Sequence, residues 1–172
     1  MHYIAEPMSN NFRILSISSE FEVYASEKDL SPEENALLQK AKDALKNAYA
    51  PYSNFFVGAA VLLENGEIVL GNNQENAAYP SGLCAERVAI FHASAIHPDV
   101  AVKTIAISCK TPVRVLEDPL TPCGACRQVI AEYETKFDKP IRIIMQAEKG
   151  NVYAANGISQ LLPLMFNRKS LK

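Results

Sequence analysis

Three cysteines place the tightest constraint on how this chain can fold, because thiols with this spacing are typical zinc ligands. Cys123 and Cys126 lie one helical turn apart, and Cys84 supplies a third sulfur from an earlier segment. Both segments are predicted to begin helices, where free backbone N–H groups and the helix dipole favour thiolate over thiol. The fold must therefore bring two helix N-termini together around one metal ion.

The same residues predict a catalytic zinc site rather than a purely structural one. Three protein ligands leave one position of a tetrahedral zinc ion open for water. Glu86 follows Cys84 by two residues and is placed to move protons to and from that water. We therefore expect one Zn²⁺ held by Cys84, Cys123 and Cys126, with Glu86 as the catalytic residue.

Two other interpretations of the cysteines remain open at this point. A structural zinc module would need a fourth ligand such as Cys109, and it would leave Glu86 without a task. A thiol–disulfide pair formed by Cys123 and Cys126 ignores Cys84 and predicts oxidation without bound metal. The catalytic site accounts for more of these residues than either alternative.

Two arginines directly follow residues of the expected metal site. Three thiolates around one Zn²⁺ carry a net negative charge, which weakens the power of the metal to acidify water. Arg87 follows Glu86 and Arg127 follows Cys126. Guanidinium N–H groups donated to the sulfurs would withdraw electron density and restore that power. We therefore predict that both arginines act on the metal through hydrogen bonds to its sulfur ligands, without binding the metal themselves.

Helical and strand-like segments alternate along the chain. Ser31, Pro32 and Glu34 form a capping box that begins the first helix. Asn65-Gly66 predicts a hairpin between a buried strand and its return strand. The full predicted order is a helix from Ser31, strands at 55–63 and 67–71, a helix at 84–96, a strand at 102–108, a helix at 123–134, strands at 141–145 and 152–154, and a last helix at 158–166. This order predicts an α/β fold, a three-layer α/β/α sandwich with a mixed five-stranded sheet.

Residues 1–30 are predicted to form an N-terminal extension, and residues 31–172 the catalytic domain. Within the extension, residues 12–18 and 21–24 have strand-like composition with rough alternation. We expect an additional edge strand or a packing arm there. The loop at residues 110–121 is expected to influence access to the site.

A dense polar cluster follows the second strand of the hairpin. Asn72 to Asn76 contribute four amides and one carboxylate only a few residues before Cys84. Such a cluster often forms an ordinary polar turn. Its closeness in sequence to the first metal ligand instead favours a site for substrate hydroxyl groups.

Composition excludes several classes of function. The formal net charge is −2, so no basic field favours a nucleic-acid partner. No apolar run is long enough for a transmembrane helix, and the N-terminus has no pattern of a secretory signal. Free cysteines suit a reducing compartment. We therefore expect a cytoplasmic protein that binds neither nucleic acid nor membrane.

Several ordered motifs, taken together, resemble one known family. The chain is similar to the cytidine deaminases, in particular to their small tetrameric branch with three cysteine ligands. The similarity runs from about Leu37 to Phe166. The motifs are Cys84-Ala85-Glu86-Arg87, Pro122-Cys123-Gly124-Ala125-Cys126-Arg127-Gln128, Ala50-Pro51-Tyr52-Ser53-Asn54-Phe55, Val57-Gly58-Ala59-Ala60 and Asn73-Gln74-Glu75-Asn76-Ala77-Ala78-Tyr79.

This resemblance implies a reaction and a role for each matching residue. The reaction is the zinc-dependent hydrolysis of cytidine and deoxycytidine to uridine and deoxyuridine plus ammonia, as in pyrimidine salvage. Glu86 would transfer the protons. Asn73 and Glu75 would hydrogen-bond the 3′-hydroxyl of the sugar, Phe55 would pack against the base, and the backbone N–H of Ala85 would donate to the base carbonyl.

The resemblance also implies a homotetramer with one Zn²⁺ per subunit and a small-molecule nucleoside as substrate. Phe166 would reach into the site of a neighbouring subunit, although ordinary packing in the core is an equal alternative for this residue. Related deaminases act on a free base, a nucleotide or a nucleoside antibiotic. The carboxylate of Glu75 near the sugar favours a free nucleoside, because it would repel a phosphate.

Overall fold

The computed structural model describes residues 3–5 and 12–171. Its main elements are the strands β1 (Tyr3–Ala5), β2 (Leu15–Ile17) and β3 (Glu22–Tyr24), helix α1 (Pro32–Ala44), strands β4 (Phe56–Leu63) and β5 (Ile68–Asn72), helix α2 (Ala85–Ile96), strand β6 (Val102–Lys110), helix α3 (Gly124–Phe137), and strands β7 (Arg142–Gln146) and β8 (Val152–Asn156). In this described part of the chain, no helix has the length and apolar character required to span a membrane.

The central sheet is mixed and has the strand order β3-β8-β7-β6-β4-β5. Only β6 and β7 pair in parallel, and α3 is the crossover between them. The hairpin predicted at Asn65-Gly66 is confirmed, because β4 and β5 pair in antiparallel and Gly66 has a φ of 87°. Strands β1 and β2 form a separate ribbon.

The predicted fold class is confirmed, whereas the predicted number of five strands is wrong. The sixth strand is β3, which pairs in antiparallel with β8. Arg142 on β7 reinforces this attachment by donating to both carboxylate oxygens of Glu22 at 2.7 Å. It also donates to Glu34 of α1 at 3.0 Å. Strand β3 is thus attached to the sheet by backbone pairing and by charge.

Helices cover both faces of the sheet and produce the three predicted layers. On one face, Leu37, Leu38 and Ala41 of α1 pack against small and branched residues of the sheet. Successive strand residues point to opposite faces. The alternate set therefore packs against α2 and α3, and the larger core lies there, with members that include Val57, Ala59, Val61, Ala89, Ile90, Ile105, Ile107, Ile130, Ile143 and Met145.

Helix α2 lies unusually close to the sheet at Gly71 of β5. A Cβ at this position would lie 2.4 Å from the backbone N of Ala89 and 2.5 Å from the backbone O of Ala85. Real Cβ atoms essentially never come this close to backbone atoms. Gly71 therefore sets the distance between the sheet and the first turns of α2.

The predicted last helix at residues 158–166 is wrong. The structure has only a short 3-10 turn at Ile158–Gln160, followed by irregular chain and a second turn at Arg168–Leu171. Gly157, just before the first turn, has a φ of 92°. Pro163 has no backbone N–H to continue a helix. The helical hydrogen bonds of this segment therefore end at Leu162, whose backbone N–H donates to the Ile158 carbonyl at 2.8 Å.

Candidate active site

The three cysteines predicted as metal ligands lie together at two helix N-termini. Cys84 is the N-cap of α2, Cys123 is the N-cap of α3, and Cys126 lies in the first turn of α3. The Sγ atom of Cys123 lies 3.7 Å from that of Cys84 and 3.6 Å from that of Cys126. A tetrahedral zinc with bonds of about 2.3 Å requires sulfurs about 3.8 Å apart. The sulfurs therefore fit one zinc ion.

Electrostatics favour thiolate chemistry at this cluster. A hydrogen bond from Cys126 and the Arg87 guanidinium lower the pKa of Cys84 to about 5. The same bond to Cys84, together with burial, raises the pKa of Cys126. Zinc binds each sulfur as the thiolate, and the charge of the ion favours this form further.

The fourth cysteine, Cys109, lies elsewhere. It is buried in β6 among core residues, and burial raises its pKa to about 11. Among the residues that the structure describes, the group able to hold a metal comprises Cys84, Cys123 and Cys126 alone. A structural site closed by Cys109 is therefore not formed.

Glu86 is the second residue of α2 and is 3 % exposed. Burial raises the pKa of its carboxyl group, and the neighbouring Cys84 charge raises it further, although the residue's own backbone N–H donates to the carboxylate and opposes this shift. Glu86 lines the same cavity as Cys84 and Cys123. A carboxyl group with a raised pKa beside a metal site is suited to take up and return protons.

The two arginines have different partners. Arg87 donates from Nη2 to the Cys84 Sγ at 3.7 Å and to the Gly82 carbonyl at 3.4 Å. Arg127 instead donates to the carbonyl oxygens of Pro122, at 2.7 Å, and Leu161, at 2.8 Å. The expected hydrogen bond from Arg127 to a sulfur is absent from the described contacts. Arg127 therefore links Pro122, which precedes the N-cap of α3, to Leu161 in the C-terminal segment.

Asn73 and Glu75 line the same cavity as Glu86, from the extended chain after β5. Asn73 donates from Nδ2 to the Phe55 carbonyl at 2.8 Å and accepts from the Val57 backbone N–H at 2.8 Å. Glu75 accepts from the backbone N–H of Tyr52 at 2.9 Å and from Ser53. These bonds lower the pKa of Glu75 below its ordinary value of 4.5, with the Ser53 hydroxyl as the largest cause.

A single open cavity of about 650 Å³ is lined by both groups of residues. This volume lies within the range of about 300–1,000 Å³ that is typical of small-molecule sites. Besides these polar groups, the lining includes a largely apolar wall, formed in part by Phe55, Val57, Leu83 and Leu120. Of the residues predicted from sequence, the cavity brings together Phe55, Asn73, Glu75, Cys84, Glu86, Arg87 and Cys123.

Two predicted contact residues lie outside the lining of this cavity. Ala85 is buried as the first residue of α2, where a backbone N–H has no acceptor within the helix. Phe166 is 57 % exposed in the C-terminal segment, and its carbonyl accepts from Gln128 at 2.8 Å. In one chain, Phe166 therefore belongs neither to the core nor to this cavity.

Sequence reasoning missed Ser53, which bonds Glu75 from a distant part of the chain. Tyr52 also lines the cavity, where its ring lies beside that of Tyr79. Thr121, at the end of the 110–121 loop, is a further lining residue. No local pattern pairs residues 52–53 with residue 75, so only the tertiary structure shows this contact.

Comparison with known proteins identifies similar chains. The family profile "Cytidine and deoxycytidylate deaminase zinc-binding region" matches residues 31–137. A cytidine deaminase of Sporosarcina psychrophila is 40% identical over 136 residues, which cover 78% of this chain and 92% of that protein. A cytidine deaminase of Halalkalibacterium halodurans is 37% identical over 136 residues, which cover 78% of this chain and 95% of that protein.

Solved structures show a similar fold. The crystal structure of cytidine deaminase from Burkholderia pseudomallei has a TM-score of 0.66 and 37% sequence identity, and it covers 80% of this chain and 100% of its own. The crystal structure of cytidine deaminase from Mycobacterium tuberculosis has a TM-score of 0.61 and 29% sequence identity. The match covers 80% of this chain and 99% of that chain. The resemblance noted from the motifs is confirmed by these comparisons.

Proposed function

Because the chain belongs to the cytidine and deoxycytidylate deaminase family, we propose that it removes the amino group of cytidine and deoxycytidine by hydrolysis. The products are uridine or deoxyuridine and ammonia. One observation carries this proposal: a single cavity is lined both by Glu86 and two of the clustered cysteines and by Asn73 and Glu75. A nucleoside has two corresponding parts, a base that reacts and a sugar that is recognised.

One Zn²⁺ per subunit is held by Cys84, Cys123 and Cys126. When bound, zinc supplies the Lewis acidity that makes water a nucleophile near neutral pH. Arg87 withdraws electron density from the Cys84 sulfur through its hydrogen bond, which partly offsets the negative charge of the thiolates.

Glu86 transfers the protons of the reaction. It accepts one from the attacking water, delivers it to N3 of the pyrimidine, and then transfers the second proton of that water to the departing amino group. Oxygen replaces nitrogen at C4, and the protons balance as ammonia leaves. The buried position of Glu86 supports this role, because a raised pKa lies closer to neutral pH, where the carboxyl group can both take up and release a proton.

The rest of the cavity orients the nucleoside. Asn73 and Glu75 hydrogen-bond the 3′-hydroxyl of the sugar, and Phe55 packs against the base. The backbone N–H of Ala85, at the free N-terminus of α2, donates to the carbonyl oxygen of the base. The ionised carboxylate of Glu75 disfavours a phosphate at this end of the cavity.

The active form is proposed to be a homotetramer in which Phe166 packs into the site of a neighbouring subunit. Several large apolar side chains near the cavity and in the C-terminal segment are exposed in the single chain, which supports an interface there: Tyr79, Leu83, Leu164 and Phe166. Light scattering on the purified chain counts the subunits.

Residues 31–172 are proposed as the catalytic domain and residues 1–30 as an extension of it. The start of the family match at residue 31 supports this division. The cluster of free cysteines suits the reducing conditions of the cytoplasm, where such an enzyme would act in pyrimidine salvage.

A panel of cytidine, deoxycytidine, cytosine, dCMP and blasticidin S tests the proposed substrate class by release of ammonia. We expect turnover of the two nucleosides and little of cytosine, which has no sugar to orient it. Removal of zinc by a chelator should abolish the reaction, and added Zn²⁺ should restore it. Preferential turnover of dCMP, cytosine or the antibiotic would contradict the proposal.

A further inference from the structure

The carboxylate of Glu75 is fixed by a turn far away in the sequence. Its Oε2 accepts from the backbone N–H groups of Tyr52 at 2.9 Å and Ser53 at 3.3 Å. Its Oε1 accepts from the hydroxyl of Ser53. Glu75 itself lies at the surface of the cavity, where an unheld carboxylate would rotate freely. Three hydrogen bonds thus impose one orientation on this half-buried side chain.

These bonds and those of Asn73 leave few free hydrogen-bonding positions on Glu75 and Asn73. A carboxylate offers about four acceptor positions, and three on Glu75 are taken, so one remains on Oε1. The amide of Asn73 uses one N–H on the Phe55 carbonyl and one lone pair on the Val57 N–H, so one N–H and one lone pair remain. The remaining acceptor of Glu75 and the remaining N–H of Asn73 together match a single hydroxyl group, which donates once and accepts once.

We infer that Ser53 is a positioning residue for nucleoside recognition: its hydroxyl holds the Glu75 carboxylate so that the remaining acceptor position faces one sugar hydroxyl. This inference rests on the proposed function and adds a residue to it. Ser53 acts only through Glu75. Its loss therefore weakens the binding of nucleosides that carry the hydroxyl and leaves the chemistry at Glu86 unchanged.

A purely structural role for Ser53 makes a different prediction. The Ser53 hydroxyl also accepts from the Phe55 backbone N–H at 3.0 Å, within the turn that carries Phe55 into the cavity. If only the turn matters, removal of the hydroxyl impairs every substrate equally, because the base-packing residue would shift. A substrate that lacks the sugar hydroxyl separates the two roles.

The test compares Ser53→Ala and Ser53→Thr with the unsubstituted enzyme on deoxycytidine and on 2′,3′-dideoxycytidine, which lacks the 3′-hydroxyl. We expect Ser53→Ala to raise KM for deoxycytidine about tenfold, with kcat within about twofold. KM for dideoxycytidine should change by less than about twofold. Ser53→Thr, which keeps the hydroxyl, should restore most of the loss. Equal KM increases for both nucleosides would overturn the inference.

A double substitution sharpens this result. In a Glu75→Ala background, Ser53→Ala should have no further effect on KM for deoxycytidine, because the residue through which it acts is gone. An additional tenfold increase there would show that Ser53 acts independently of Glu75 and would contradict the inference.

A third measurement does not depend on turnover. The pKa of the Glu75 carboxyl group, followed by ¹³C NMR of the labelled zinc-loaded protein, should rise in Ser53→Ala because the strongest hydrogen bond to the carboxylate is lost. An unchanged pKa would contradict the inference even if no nucleoside were deaminated. Failure of the unsubstituted enzyme to deaminate cytidine, by contrast, would contradict the proposed function alone.

Discussion

Two carboxylates face the same cavity from environments that shift their pKa values in opposite directions. Glu86 is buried at the metal end, and burial raises its pKa. Glu75 is half-buried in the chain after β5, and hydrogen bonds from Ser53 and Tyr52 lower its pKa. Two acidic groups whose pKa values are shifted in opposite directions are suited to different chemical roles. Glu86 is suited to exchange protons, whereas Glu75 remains a permanent hydrogen-bond acceptor.

The two regions are also built by different means. The metal end consists of two helix N-termini, one of them pressed against the sheet at Gly71. The region around Asn73 and Glu75 consists of extended chain and a turn, joined by hydrogen bonds between side chains and backbone. Packing therefore positions Cys84 and Glu86, and hydrogen bonding positions Asn73 and Glu75. Substitutions in the two regions should differ in which kinetic constant they change.

The largest expected effect is on Glu86. Glu86→Gln keeps the size of the side chain but cannot transfer protons, so kcat should fall by about a thousandfold. Ammonia release measures the loss, and elemental analysis should still find one zinc per subunit. Glu67→Gln, at an exposed position of the β4–β5 hairpin, is the matched control and should keep full activity. If Glu86→Gln turned over cytidine at nearly the unsubstituted rate, Glu86 would not be the carboxylate that transfers protons, and the distinction from Glu75 would be lost.

A smaller effect is expected at Glu75. Glu75→Gln retains the shape but not the charge, and loss of a charge-assisted hydrogen bond should raise KM for cytidine by about tenfold to a hundredfold. The value of kcat should change far less, and zinc content should not change. Steady-state kinetics on cytidine separates the two constants. An unchanged KM would show that Glu75 does not hold the sugar.

The smallest expected effect is a difference in pH dependence. The folded pKa of Glu75 lies below 4.5, so this carboxylate stays ionised as the pH falls from 7 to 5. KM should therefore remain nearly constant over that interval and rise only at lower pH, as Glu75 takes up a proton. Initial rates in buffers of constant ionic strength measure this profile. A rise in KM already at pH 6 would show that Glu75 is not held as an ionised acceptor.

The sequence was most informative where function depends on short local patterns. Cys84 and Glu86, and likewise Cys123 and Cys126, are close in sequence, so their proximity follows from one turn of helix. The capping box of Ser31 and Glu34 is likewise local and is confirmed. These patterns predicted the metal cluster and the helices that carry it.

Other features depend on contacts between distant segments and could not be predicted. Ser53 and Glu75 meet across 22 positions, and Arg142 and Glu22 across 120. Arg127 was expected near a sulfur because of its position beside Cys126, but backbone carbonyls from two segments hold its guanidinium. In residues 158–166 the apolar pattern was read as a helix, although Gly157 and Pro163 favour an irregular path.

The attachment of β3 to β8 has a consequence for the behaviour of a shortened chain. With β3 in place, the N–H and C=O groups of Val152, Tyr153 and Ala154 are paired within the molecule. Without residues 1–30, this side of β8 would become an open sheet edge, a template for pairing with other molecules. Arg142 would also lose Glu22 and keep only Glu34 as a carboxylate partner among the described contacts. Residues 1–30 thus move the edge of the sheet from the five-residue β8 to the three-residue β3, which offers a shorter template for such pairing.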